Sequence, residues 1–176
     1  MARILWGEHG EERGLDLIQA RLKRLGIALH AWTAPADPEG LLERQDLGPE
    51  ERERVLTLVE HRFLELQAAH GYRSRDLIVL HEDIPGLEGM LQKFDSIHLH
   101  DDDEVRYILA GRGYFGFVEA DGNQFLLEVT AGDYINVPAR TEHWFEMKDS
   151  RRIKAVRYFI DTAGWVPVYT ERRKSA

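Results

Sequence analysis

The sequence predicts a mainly β domain with flanking helices, its strands closing into a sandwich or small barrel with a metal site inside. Three observations predict it. From Leu77 onward, short β-rich segments alternate with glycine and aspartate turns. The part before Leu77 carries two helical periodicities. His98, His100, Glu104 and His143 supply three imidazoles and one carboxylate, and inward-facing positions of barrel strands can bring such groups to a single ion.

Taken in order, residues 11–25 place Leu15, Ile18, Leu22 and Leu25 on one helical stripe, with Gly26 as the stop. Residues 27–33 read as a strand, and Pro35, Pro38 and Gly40 mark a loop. A second helix starts at Pro49, presents Val55, Val59, Phe63 and Leu66 on one side, and ends near His70 before Gly71. His61 and His70 on that helix, like His9, His30 and His81, are read as surface or packing residues. The clearest strands are residues 77–80, 113–118, 125–129 and 134–137, with Asp121-Gly122-Asn123 as a hairpin turn. The chain is expected to form one domain: a mainly helical part over 1–75 packed on a β-barrel over 76–170, then a tail over 171–176.

The metal ligands rest on strand parity. Successive side chains of a strand alternate faces, so His98 and His100 project together, and Phe94, Ser96, Glu104 and Arg106 share their parity. Asp101, Asp102 and Asp103 read as an acidic turn between two extended segments. His143 must arrive from a distant strand after the turn at Pro138, with Phe145 facing the same way. Imidazoles with one carboxylate suit iron, nickel, manganese, cobalt or zinc better than calcium or magnesium, which prefer all-oxygen shells. A structural zinc site is usually closed and sulfur-rich, and this chain has no cysteine. Four protein donors on an octahedral ion leave two positions for a bidentate ligand.

Composition narrows the function classes. The chain has 176 residues, of which 43% are apolar, enough for a real core. A net charge of -8 argues against a nucleic-acid or anionic-membrane surface, which would select basic patches. The basic Arg172-Arg173-Lys174 is too short to change that. Without cysteine there is no disulfide framework. Arg3, Glu8, Glu11 and Glu12 stand where a signal peptide needs an apolar core, so the cytoplasm is expected.

The run HLHDDDEVRYILAGRGYF at 98–115, then GDYINVPARTEHWF at 132–145, KAVRYF at 154–159 and GWVPVY at 164–169 resembles the acireductone dioxygenase family of the cupin superfamily. The resemblance covers residues 70–170 and implies a cupin-type, jelly-roll barrel. It places His98, His100, Glu104 and His143 on the family's metal ligands, with one Fe2+ or Ni2+ per chain. Arg106 falls on a position facing the substrate, and Phe94, Phe145, Arg157 and Trp165 on other walls of the site. The implied reaction joins O2 to an acireductone with a methylthio tail. It gives formate and the 2-keto acid precursor of methionine with iron, or formate, carbon monoxide and methylthiopropionate with nickel. Arg106 and Arg157 would stabilise negative charge on the substrate oxygens, and the expected working unit is a monomer acting on a small molecule in methionine salvage.

The general cupin pattern is met in part. The glycine expected six residues before the first histidine is Gln92, the one two after the proline is Arg140, and the asparagine four after His143 is Met147. Two rival readings keep the four ligands: another cupin enzyme, such as an isomerase or a different dioxygenase, and a non-catalytic ligand-sensing cupin. No helix-turn-helix or basic patch favours the second. Arg106 could also be spent on an ion pair with Glu104 or one of Asp101 to Asp103.

Overall fold

The structure is a computed structural model that describes residues 2–148, 151–161 and 166–175. Its organising element is β6 (Glu104–Val118), long enough to belong to two sheets at once. The first half pairs with β8 (Asp133–Val137) and β10 (Ile153–Phe159). The second half pairs with β7 (Gln124–Thr130) and β9 (His143–Glu146). Outward from this spine, β3 (Ala28–Ala31) adds to β8 and β4 (Ser74–Leu80) to β10. On the other sheet β1 (Arg3–Trp6) and β2 (Gly10–Glu12) extend β7, and β5 (His98–Leu99) with β11 (Val168–Tyr169) extend β9. Among the described residues every strand pairing is antiparallel. The expected mainly β, cupin-type barrel is the architecture found, and three of its strands come from the first third of the chain.

Alternation along β6 divides the interior from the outside. Val105, Tyr107 and Leu109 point outward into a cluster with Val55, Leu56, Val59 and Leu66 of the helices, while Ile108 joins the inner core. Lys154 pairs with Ala110 and Ala155 with Ile108, so Leu109 is the extra residue of a bulge. Beyond it the parity reverses, and Phe115 and Phe117 become the inward residues. Gly111 follows at φ 74°, where a Cβ would collide with the carbonyl of Arg152.

The helices depart from expectation in three places. The first, α1 (Leu15–Lys23), begins later than residue 11 because Gly10–Glu12 turn back to pair with β1; Ile18 and Leu22 seal the inner core as expected. The second is divided at Val59, with φ -118°, into α2 (Pro49–Leu58) and α3 (Glu60–His70). Tight i to i+3 bonds, Val59 N–H to Leu56 and Arg62 N–H to Val59, carry the chain through the break. Gly71 caps α3 in the left-handed conformation. The third departure is α4 (Leu87–Asp95), which sequence reading left extended. Among the described residues no helix is long and apolar enough to cross a membrane.

Lys154, fully buried on the outward side of β10, donates to the carbonyls of Leu42 at 3.0 Å and of Arg44. Arg152 donates to the same loop, so two cations hold residues 42–44 against the sheet. The exposed C-terminal residues run back along the protein, where Lys174 pairs with Asp95 and Glu146.

Candidate metal centre

β5 and β9 are held together at His98, whose register partner is His143. Next along β9's other edge, His143 is opposite Phe117 of β6. Glu104 opens β6, and the turn Asp101–Asp103 between it and His100 is stapled in place. Asp103 accepts the Ala139 N–H at 2.9 Å, Asp101 accepts from Arg140 at 2.7 Å, and the Arg140 N–H donates to the His100 carbonyl at 2.8 Å. Arg140 sits at φ 65°, the left-handed conformation that the glycine of the general pattern would supply.

These elements bring one donor atom from each of His98, His100, Glu104 and His143 to within 4.8 Å of one another, all buried. Two backbone carbonyls set the rings. The Nδ1–H of His98 donates to Ser96 at 2.7 Å and that of His143 to Thr141 at 2.8 Å. A carbonyl only accepts, so both rings carry a proton on Nδ1 and turn Nε2 inward. Burial, to which the neighbouring His143 adds, pulls His98 down to about 4 and keeps it neutral.

Glu104 completes the set. Burial alone would raise its pKa, but the Arg106 guanidinium, with His100 and His143, holds it well below the ordinary carboxylate range. Its Oε1 is 3.0 Å from Arg106, and its Oε2 lies 3.1 Å from His100 Nε2 and 3.2 Å from His143 Nε2. His143 Nε2 thus faces a carboxylate oxygen, as two ligands of one shared cation would. Neighbouring donors on a six-coordinate ion with bonds of about 2.1 Å stand about 3.0 Å apart, which matches the two Glu104 contacts. The residues fit a single divalent ion of the kind that imidazole and carboxylate donors hold.

A cavity of about 490 Å3 reaches the cluster at Glu104 and is lined also by Arg106, Arg157, Phe94 and Phe145. Arg106 is buried, and that burial lowers its pKa to about 10 against the opposing pull of Glu104, so it stays charged at neutral pH. The internal ion pair weighed for Arg106 is present, with Glu104 as the partner. Phe145 packs edge-on to Phe115 at 5.2 Å, over Gly113, where a Cβ would meet its ring. Phe94 reaches the cavity from α4, not from a strand shared with His98. The expected parity of Phe94 and Ser96 is thus corrected, and Gln92 lies inside the same helix. The helical spacing of Leu87, Met90, Leu91 and Phe94 was the available signal. Trp165 lies outside the described residues.

Asp76 was missed by sequence reading. It grips Arg157 with both carboxylate oxygens, the Nε contact at 2.7 Å, and lines the same cavity. On β4 the residues Asp76, Ile78 and Leu80 share a parity, opposite to Leu77 and Val79, which pack among the outer cluster.

Comparison with known proteins agrees with this architecture. The ARD/ARD' family model matches residues 21–167. The acireductone dioxygenase of Leptospira biflexa is 45% identical over 90% of this chain and 89% of its own length. That of Microcystis aeruginosa is 50% identical over 88% and 85%. The structure of acireductone dioxygenase from Bacillus anthracis with cadmium ion in the active center superposes with a TM-score of 0.89 at 33% identity, covering 96% of this chain and 98% of that one. The chain belongs to the acireductone dioxygenase (ARD/ARD') family.

Proposed function

We propose that the chain is an acireductone dioxygenase that holds one Fe2+ or Ni2+ on His98, His100, Glu104 and His143 and serves methionine salvage in the cytoplasm. The observation that carries the metal reading is the convergence of the four donor atoms within 4.8 Å, with Glu104 among them at the wall of a cavity that also presents Arg106. A cadmium ion in the active center of the Bacillus anthracis relative supports a single-ion site. When bound, such an ion polarises two adjacent substrate oxygens and lowers the cost of their deprotonation.

The chain's own residues then act on the substrate. Arg106, and Arg157 across the adjacent strand, remain cationic and offset the negative charge that deprotonation leaves on the oxygens. Glu104 keeps its charge because Arg106 holds its far oxygen, so it stays a ligand and does not compete for substrate protons. Phe94 and Phe145 form an apolar wall for the methylthio end and exclude water from the electron-rich intermediate. Cleavage by O2 yields formate and the 2-keto acid precursor of methionine in the iron form, and formate, carbon monoxide and methylthiopropionate in the nickel form. All four donors, both arginines and both phenylalanines belong to one chain, so the proposed site is complete without a second copy, and the proposed working unit is a monomer. No described feature favours an isomerase or a sensor over this reading.

The test is turnover of acireductone under O2 by protein reconstituted with each ion, with products identified. Formate from both forms, and carbon monoxide only from the nickel form, is expected. Inert protein with full metal occupancy refutes the assignment.

A further inference from the structure

Strands β4, β10 and β6 lie side by side, and Asp76, Arg157 and Arg106 occupy one row across them. Arg157 is the register partner of Asp76 on one edge and of Arg106 on the other. All three line the cavity. Neighbouring strands are about 4.8 Å apart, and like charges placed directly opposite repel. The two guanidiniums are therefore held side by side only because each has a carboxylate on its outer flank: Glu104 for Arg106 and Asp76 for Arg157. The grip of Asp76 is two-pronged, on Nε and Nη2, which fixes the plane of the Arg157 guanidinium and not merely its position. The Asp76 side chain is 45% exposed and that of Arg157 28%, and a pair this open to water adds little to folding. Its effect is on where a cation points.

We infer that Asp76 is a positioning residue of the reaction, holding Arg157 in the plane from which, together with Arg106, it meets the anionic oxygens of the substrate. The inference rests on the role given above to Arg157 and adds a residue outside every motif of the sequence. Asp76 does not touch the reacting atoms. It acts through Arg157, and it balances the charge that would turn that side chain away from Arg106 toward solvent.

The test compares metal-loaded wild type with Asp76→Asn, Asp76→Glu, Arg157→Met and the double variant Asp76→Asn/Arg157→Met. Steady-state constants are measured with acireductone, and substrate affinity is measured separately by anaerobic calorimetry, where no turnover occurs. Asp76→Asn is expected to keep metal content and melting temperature, to weaken anaerobic binding, and to lower kcat/KM by about 10-fold to 100-fold, the cost of misplacing a binding group. Asp76→Glu should recover part of the loss, and Asp76→Asn should add nothing once Arg157 is methionine. Unchanged constants in Asp76→Asn beside an impaired Arg157→Met overturn the inference alone, as do fully additive losses in the double variant. An unimpaired Arg157→Met overturns both the inference and the role of Arg157.

Discussion

His98 and His143 face each other as register partners on β5 and β9, their ring centroids 4.6 Å apart, although they stand 45 positions apart in the chain. A single antiparallel pairing thus joins the two halves of the ligand set. Replacing His143 by alanine removes one donor and leaves Glu104 facing an empty wall. Metal affinity is expected to fall by more than about 100-fold, since even outer partners of ligands cost that order. Elemental analysis after dialysis measures it, and full retention of the ion refutes the ligand assignment.

Arg106→Met is expected to keep the ion at neutral pH while lowering kcat by about 100-fold to 1000-fold, the loss seen when one preorganised charge-stabilising donor is removed. A second effect follows from the direction of the Glu104 shift. Arg106 is the largest influence holding that carboxyl low, so without it the proton competes with the metal at higher pH. The pH at which half the metal is lost should move upward in the variant. An unmoved midpoint with unimpaired turnover shows Arg106 to be a structural residue.

Arg140 holds a left-handed backbone without being glycine, at a cost of about 1 kcal/mol or more for an ordinary residue. Its exposed pair with Asp101 returns under about 1 kcal/mol. Arg140→Gly should therefore leave stability equal or raised, whereas Arg140→Val, branched at Cβ, should lower it by about 1–2 kcal/mol. Denaturant titration of the two variants checks the ordering, and Val equal to Gly contradicts it.

Lys154 supplies a pH signature. Burial, with Arg152 nearby, lowers its pKa from 10.5 to about 8. Between those values the unfolded chain carries a proton that the folded chain has released, so this group's contribution to stability rises with pH across that window. Measured against Lys154→Met, wild type should gain stability from pH 8 to pH 10. A difference flat across the same interval rules the mechanism out.

Much of this was legible in the sequence because it depends on local period. The stripes of α1 and of the Pro49–His70 segment, the strand at 134–137 and the turn at Asp121–Asn123 follow from side-chain alternation and turn chemistry alone. The four donors could be grouped because His98 and His100 lie two apart and the acidic turn returns Glu104 to them. What stayed hidden depends on pairing. Asp76 gains its meaning only beside Arg157, a strand whose register the sequence does not state. The extra residue at Leu109 reverses β6 without any glycine or proline of its own. Phe94 was misassigned because parity with His98 was read through Asp95 and Ser96, where α4 ends.

That extra residue has a consequence for how the chain can change. Glu104 and Arg106 upstream, and Phe115 and Phe117 downstream, have opposite parity in the sequence, yet all turn inward because Leu109 and Ala110 both face outward against the single residue Lys154. Deleting Leu109 would remove the bulge and restore plain alternation, with Ala110 still outward against Lys154 and both phenylalanines still facing the barrel. Side-chain exchange can disturb either half of this strand, whereas losing that one residue relaxes a local kink and turns neither half over, so β6 has one place where its length is more negotiable than many of the letters that fill it.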